Sequence, residues 1–229
     1  MKLLVFDLKG NIAHFRRPDT TATHATYPFI TRTALRGLLG SILGLAHWEG
    51  EAWTGIQLLS PVSTRAQQLS LLGKGYFAGG AMSFNRPTSI ELVINPYYRI
   101  YYHGESFNEL CEHIEQGLAI YHTYLGSAFA LTKPRFVEVL EVEEMPPERA
   151  IESITVIPSH IVTNLEIQPG HQYVRAGGIP YHSLGEHHYE GTMNFIYERS
   201  GYPIRFTPTQ AEGVPVRWAK RDEQWISLW

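Results

Sequence analysis

The stretch His14–Leu45, HFRRPDTTATHATYPFITRTALRGLLGSILGL, decides how the rest of the chain is read. It runs from a basic pair through a polar loop and a proline into an apolar run headed by two more arginines. Thr31 is placed to cap a helix by accepting a hydrogen bond from a free N–H of the first turn, and Pro28 lies upstream, where it cannot break the ladder. Ala34, Leu35, Leu38, Leu39, Ile42 and Leu43 recur at helical spacing and define a buried face. Arg32 and Arg36, four residues apart, share one side of the first turns. The positive end of a helix dipole disfavours cations by roughly 0.3–1 kcal/mol each, so a negative group is expected beside them. Free N–H groups, the dipole and two guanidinium forks together make a phosphate site, to which His14, Arg16 and Arg17 add charge from the loop. A surface helix whose arginines meet the protein's own carboxylates fits the same residues. Gly37, Gly40 and Gly44 each cost about 1 kcal/mol relative to alanine inside a helix. A closely approaching backbone or ordinary tight packing would offset that.

Upstream, Lys2–Lys9 (KLLVFDLK) reads as a buried strand with Asp7 near its end. Downstream, Ile56–Ser70 suits an extended segment whose pairing Pro61 and the glutamines leave open. Residues 71–89, LLGKGYFAGGAMSFNRPTS, mix glycines with Lys74, Tyr76, Phe77, Phe84 and Arg86 and read as a projecting hairpin or flap. Residues 91–104, ELVINPYYRIYYHG, form the next strand. Ser106 and Glu109 have the spacing of a capping box. The stripe Phe107, Leu110, Cys111, Ile114, Leu118, Tyr121 and Leu125 then predicts a helix that stops at Gly126. Phe136–Glu143 alternates as a strand with one wet face, and Met145-Pro146-Pro147 marks a boundary. Beyond it only strand and turn signals follow, with turns expected at Gly177-Gly178, Ser200-Gly201 and Glu212-Gly213.

The order strand, helix, strand, flap, strand, helix, strand predicts an α+β fold. Residues 1–146 would form a ferredoxin-like or RRM-like βαββαβ domain with an inserted thumb-like flap, followed by a β-rich region over 147–229. Two helices would cover one sheet face; the open face of such folds commonly meets RNA.

Composition bounds the function. An apolar fraction of 44% with 18% charged residues is that of a folded domain. The single cysteine, Cys111, excludes an intramolecular disulfide; the apolar run Leu3–Phe6 is too short for a signal sequence, and no stretch has the length of a membrane span, so a cytoplasmic location is expected. The net charge of −3 hides an asymmetry: residues 1–90 carry nine Lys/Arg and four Asp/Glu, whereas 91–229 carry ten and eighteen. A basic first part attracts polyanions, and the acidic remainder argues against indiscriminate coating of nucleic acid.

HFRRP after the first strand, TYPFITRTALRGLLGSILG and the later TYLGSAFALTKPRFVEV together resemble the CRISPR-associated Cas-five family, RAMP-superfamily subunits of type I Cascade complexes. The length and helix motif look closest to the type I-B branch. The resemblance implies a non-catalytic subunit of antiviral defence that caps the 5′ handle of crRNA. It also implies a flap touching the adjacent Cascade backbone subunit and another surface holding the large subunit, with target DNA a further candidate partner through the assembled complex. The resulting RNA-binding set is His14, Arg16, Arg17, Tyr27, Arg32, Arg36, Lys74 and Arg86, since arginine forks grip phosphate and tyrosine or histidine stacks on splayed bases. One branch of the same family cuts precursor RNA as a metal-independent endoribonuclease, associated with a tyrosine and a Lys-His pair. This chain has no Lys-His dipeptide, though His14, His24 and Tyr27 keep the reading open. A protein-interaction module without RNA contact is the third reading. His182, His187 and His188 with Glu190 match no familiar ligand spacing, and neither a metal nor a cofactor is expected.

Overall fold

The structure is a computed structural model that describes residues 1–20, 23–74, 83–185, 188–209 and 214–229. In chain order the first part holds β1 (Lys2–Lys9), β2 (Ile12–Ala13), α1 (Arg32–Leu43), β3 (Ala52–Leu58), β4 (Thr64–Lys74), β5 (Ser83–Ile94), β6 (Tyr97–Gly104), α2 (Phe107–Gln116) and β7 (Arg135–Glu141). The second holds β8 (Glu143–Glu144), β9 (Ile151–Ser153), β10 (Ile157–Pro158), a 3-10 turn at Ser159–Ile161, β11 (Val162–Leu165), β12 (Tyr173–Gly185), β13 (His188–Glu198), β14 (Ile204–Pro208), β15 (Arg217–Arg221) and β16 (Gln224–Leu228). The fold is α+β, mostly strand, with two α-helices among the described residues.

The first sheet has the order β3-β6-β1-β7, every pair antiparallel. Alternation along β1 divides its side chains between two cores. Leu4, Phe6 and Leu8 join Ile56, Ile100 and Tyr102 under the helical residues Leu35, Leu39, Leu110 and Ile114. Burying a leucine or isoleucine is worth about 1.5–3 kcal/mol, so the face Leu35, Leu38, Leu39, Ile42 ties α1 to the sheet. On the other face Leu3, Val5 and Tyr101 pack against Ala219, Ile226 and Leu228 of β15 and β16. The expected open sheet face is therefore covered. Its apolar outward residues are shielded by the second part of the chain, and Trp229 exchanges backbone hydrogen bonds with Thr54 of β3. Any RNA must meet another surface.

Helix α1 follows the expectation: Thr31 Oγ1 accepts from the Ala34 N–H at 3.2 Å, and the Gly44 N–H returns to the Gly40 carbonyl. Helix α2 does not. Ser106 makes no side-chain cap, and the helix ends at Gln116, where the Gly117 N–H closes on His113 and Ile114 carbonyls. The chain then leaves the helical path because the Ile120 and Tyr121 N–H groups bond to the Ile42 and Ser41 carbonyls of α1. That leaves Leu118, Ile120 and Tyr121 exposed while Leu125 is buried.

The segment Ile56–Ser70 is two strands rather than one, and 91–104 is likewise split by a turn at Asn95-Pro96 between β5 and β6. The flap is a ribbon of β4 and β5 in register from Thr64↔Val93 to Lys74↔Ser83, extended by β2 on the β5 side. Tyr76 and Phe77 lie outside the described residues, as does the turn expected at Glu212-Gly213. Gly177-Gly178 is a bulge inside β12, where the register against β13 shifts between Ala176 and Ile179. The second part contributes a six-stranded sheet, β11-β14-β9-β16-β15-β8, and a three-stranded one, β10-β13-β12. The β12–β13 hairpin lies against α1. No helix among the described residues is long and apolar enough to cross a membrane.

Candidate nucleic-acid interface

The loop between β2 and α1 folds back on itself. The Arg17 N–H donates to the Ala25 carbonyl, the Tyr27 N–H to the Phe15 carbonyl, and the Phe15 N–H to Thr26 Oγ1 at 2.9 Å. His24 extends the ladder to β5: its N–H donates to the Ser89 carbonyl, and its own carbonyl accepts from the Glu91 N–H. A paired strand alternates its side chains. Phe15 thus points into the core and Arg16 outward, exposed and without an ion pair or side-chain hydrogen bond among the described residues.

The expected site residues separate into those facing inward and those facing outward. His14 is buried; its Nδ1 lies 2.8 Å from the Glu91 carbonyl, and its Nε2 has no partner. Burial holds this imidazole below its ordinary value against the opposing pull of the Glu91 carbonyl, and Arg16 adds to the depression. Tyr27 is buried, and its hydroxyl donates to the Gly178 carbonyl at 2.6 Å. Gly178 has φ +66°, a left-handed conformation that favours glycine; the bulge aims its carbonyl at the tyrosine.

Arg32 is also inward, 7% exposed. Its guanidinium lies 4.2 Å from the centre of the Tyr181 ring and donates to the Tyr181 and Ala52 carbonyls at 3.0 and 3.4 Å. Burial, with Arg36 nearby, lowers its pKa to about 10. Arg36 donates through Nη2 to the Gly50 carbonyl at 2.7 Å and meets His182 Nδ1 through Nη1 at 3.1 Å. The negative groups expected beside the two arginines are carbonyl oxygens, together with an imidazole and an aromatic face. Arg32 and Arg36 bind α1 to the β12–β13 hairpin and to the turn before β3, and the Arg32 fork does not reach the surface.

Outward-facing charge remains at Arg16, Arg17 and Arg86. Arg17 carries an ion pair with Asp19, Nε and Nη2 donating at 3.1 and 2.6 Å, and its guanidinium sits 5.8 Å from the Tyr27 ring centre. Arg86 is exposed on β5. Partly buried His24 is held below its ordinary value by desolvation first, and then by Arg16, His14 and Arg86. The Lys74 side chain lies outside the described residues, as does His187.

Of these charged groups Arg16 alone borders an open groove of about 560 Å³ at the N-terminus of α1, which His24, Arg17 and Arg86 do not line. Arg16, Tyr27, Thr31, Thr33, Pro180 and Tyr189 are among the residues that line it. The first turn of α1 carries no acidic residue. Tyr189, 46% exposed, supplies an aromatic face that no spacing in the sequence pointed to. Gly126 also borders the groove, within the TYLGSAF segment; a Cβ there would lie 2.2 Å from the His14 carbonyl oxygen, so only glycine lets the two loops meet.

Residues 3–69 match the model of a family described as CRISPR-associated protein (Cas_Cas5). The likeness to the Cas5 family lies in this segment. That segment contains β1, the folded-back loop, α1 and β3, and so holds Arg16, Arg17, Tyr27, Arg32 and Arg36, whereas Arg86, Gly126 and Tyr189 lie beyond it. Among solved structures, one described as a CRISPR RNA-guided surveillance complex aligns with a TM-score of 0.56 and 12% identity, over 93% of this chain and 94% of that chain. A CRISPR protein from Archaeoglobus fulgidus aligns with a TM-score of 0.55 and 10% identity over 99% of both chains. At those identities the likeness is one of fold, and it spans the second part of the chain as well as the Cas5-family segment. No curated protein matches the sequence.

Proposed function

We propose that this protein is a non-catalytic RNA-binding subunit of a CRISPR surveillance complex of the type I Cascade class, closest to type I-B, that caps the 5′ handle of crRNA. The observation that carries the reading is the groove at the head of α1: an acid-free first turn, two threonine side chains, unpaired Arg16 and the exposed ring of Tyr189. Helix N-termini favour anions, and an aromatic face accepts a splayed base. The strand order β3-β6-β1-β7 with both helices on one face supports assigning residues 1–146 to the ferredoxin-like or RRM-like class, with 147–229 as a β-rich region that closes the opposite face. The β4–β5 ribbon is the surface we assign to the adjacent backbone subunit. The large subunit, and target DNA through it, would meet the assembled particle elsewhere, in the cytoplasm.

The binding role is favoured over metal-independent cleavage because two of the three side chains named for proton transfer, Tyr27 and His14, are committed, which leaves His24 without a partner for the chemistry. The Tyr27 hydroxyl is held by Gly178, and the His14 ring is enclosed. The test is fluorescence anisotropy with the repeat-derived 5′ segment of the guide RNA over a salt series, alongside incubation with labelled precursor RNA in chelator. Tight binding that weakens with salt, and uncut RNA, are expected. Absence of binding would overturn the RNA role, and one defined cut would overturn the non-catalytic one.

A further inference from the structure

A second groove, of about 360 Å³, lies on the other side of Tyr27. It runs between the folded-back loop and β12, and Tyr27 borders both grooves. Three guanidinium groups line it, those of Arg17, Arg175 and Arg199, against a single carboxylate, Glu91. That carboxylate is already engaged, accepting from the Thr26 N–H at 3.1 Å. Arg199 is positioned by its own contacts: Nε donates to the Val62 carbonyl at 3.1 Å, and Nη1 reaches Gln172 at 3.4 Å. None of these partners neutralises its charge. Arg175 is exposed on β12, and among the described residues its side chain has neither an ion pair nor a hydrogen bond. Exposed Gly177 leaves the floor open beside it, and Val174, 37% exposed, offers a small apolar surface.

Arg17 is paired with Asp19, so among the described residues Arg175 and Arg199 are the cations of the groove without an ion pair, and a concave surface that carries them focuses a field that attracts polyanions. Arginine forks match phosphate oxygens bidentately, and a single-stranded nucleic acid presents phosphates in series. Tyr27, which borders both grooves, is held by its bond to the Gly178 carbonyl, and the Arg17 guanidinium sits 5.8 Å from its ring centre. A strand leaving the first groove over that bridge would pass from Arg16, which lines the first groove, to Arg175, which lines the second. We infer that the second groove carries the continuation of the same single-stranded RNA past the Tyr27–Gly178 bridge, with Arg175 as the side chain that takes its phosphate and Arg199 as a fixed positive flank. This rests on the RNA-binding reading of the first groove.

The experiment uses the full chain and two 5′-labelled single-stranded RNAs, of about six and about sixteen nucleotides, within the range of site sizes of single-strand grooves. Arg175→Ala is expected to weaken the longer RNA about fivefold and to lower its salt slope by about 0.7, the value for one phosphate contact on a single strand. The shorter RNA should be unaffected. Arg16→Ala should weaken both. Equal binding of the longer RNA by wild type and Arg175→Ala, while Arg16→Ala still weakens it, would overturn the second groove alone. Failure of the wild type to bind either RNA would overturn both readings. Loss of the longer RNA in Arg175→Ala that is matched by an acidic peptide competing at the same site would show that the groove is a protein-docking site, and would overturn the assignment to RNA. Circular dichroism of each variant controls for folding, and Arg175→Lys, which keeps the charge without the fork, should restore most of the salt slope.

Discussion

The guanidinium of Arg32 sits over the ring of Tyr181, 149 residues away and 4.2 Å from its centre, and donates to that residue's own carbonyl oxygen. A cation at the head of a helix, which suggests an external anion, is here satisfied by an aromatic face and two backbone oxygens. Arg32→Ala is therefore expected to cost about 2 kcal/mol of folding stability, through the lost ring contact and two buried carbonyls left without a donor. Urea unfolding measures this. Arg32→Lys should recover little, because an ammonium cannot reproduce the fork. A variant with undiminished stability and abolished RNA binding would instead make Arg32 a ligand contact.

A second prediction compares two glycines in the same backbone region. Gly126 (φ +82°) and Gly178 (φ +66°) both hold left-handed conformations, but a Cβ on Gly126 would strike the His14 carbonyl oxygen, while one on Gly178 meets nothing within 4 Å. Gly178→Ala pays only for the conformation, about 1–2 kcal/mol. Gly126→Ala must also separate two loops, so its loss should exceed about 3 kcal/mol. Thermal unfolding of the two variants checks the order, and a reversed order would show that the loop around Gly126 yields easily.

The contrast between legible and hidden features follows sequence distance. Helix α1 could be read because Thr31, the apolar repeat and Gly44 lie within one short stretch and act on each other. The end of α2 could not: Leu118, Tyr121 and Leu125 continue the apolar stripe past Gly117, and what diverts the chain is hydrogen bonding to Ile42 and Ser41, on another helix. The same holds for the site. Arg16 and Arg17 announce a basic loop. Nothing near Arg32 indicates Tyr181, however, and nothing near β1 indicates that Ile226 and Leu228 will cover Val5. Tyr189 and Arg175 reach the grooves through the β12–β13 hairpin, whose pairing is visible in the chain but whose docking on α1 is not.

The buried histidine makes stability depend on pH with a definite sign. Burial lowers the His14 pKa, so in the interval below the ordinary imidazole value of about 6.5 the unfolded chain binds a proton that the folded chain refuses. Stability is fully present above that value and declines as pH falls through it. Partly buried His24, shifted in the same direction, adds to the decline. Melting temperature should fall between pH 7.5 and 5.5, by less in His14→Asn, whose amide can still donate to the Glu91 carbonyl but does not titrate. Parallel pH profiles for wild type and His14→Asn would show that His14 charges without penalty.

The last prediction turns on Asp19, whose carboxylate occupies both Nε and Nη2 of Arg17, a residue that lines the second groove. That pair holds the carboxyl of Asp19 below the usual carboxylate range, so at neutral pH it is ionised and competes with phosphate for the fork. Asp19→Asn should release Arg17 and raise affinity for single-stranded RNA about threefold at low ionic strength, an effect of the size exposed pairs show. The gain should shrink with added salt as exposed charges are screened. Arg17→Ala alone should change binding little, because its fork is already taken, yet in the Asp19→Asn background it should cancel the gain. That non-additivity is the signature of two groups acting through one contact. An unchanged affinity in Asp19→Asn would place Arg17 outside the RNA path and leave Arg16 as the cation of this loop that meets phosphate.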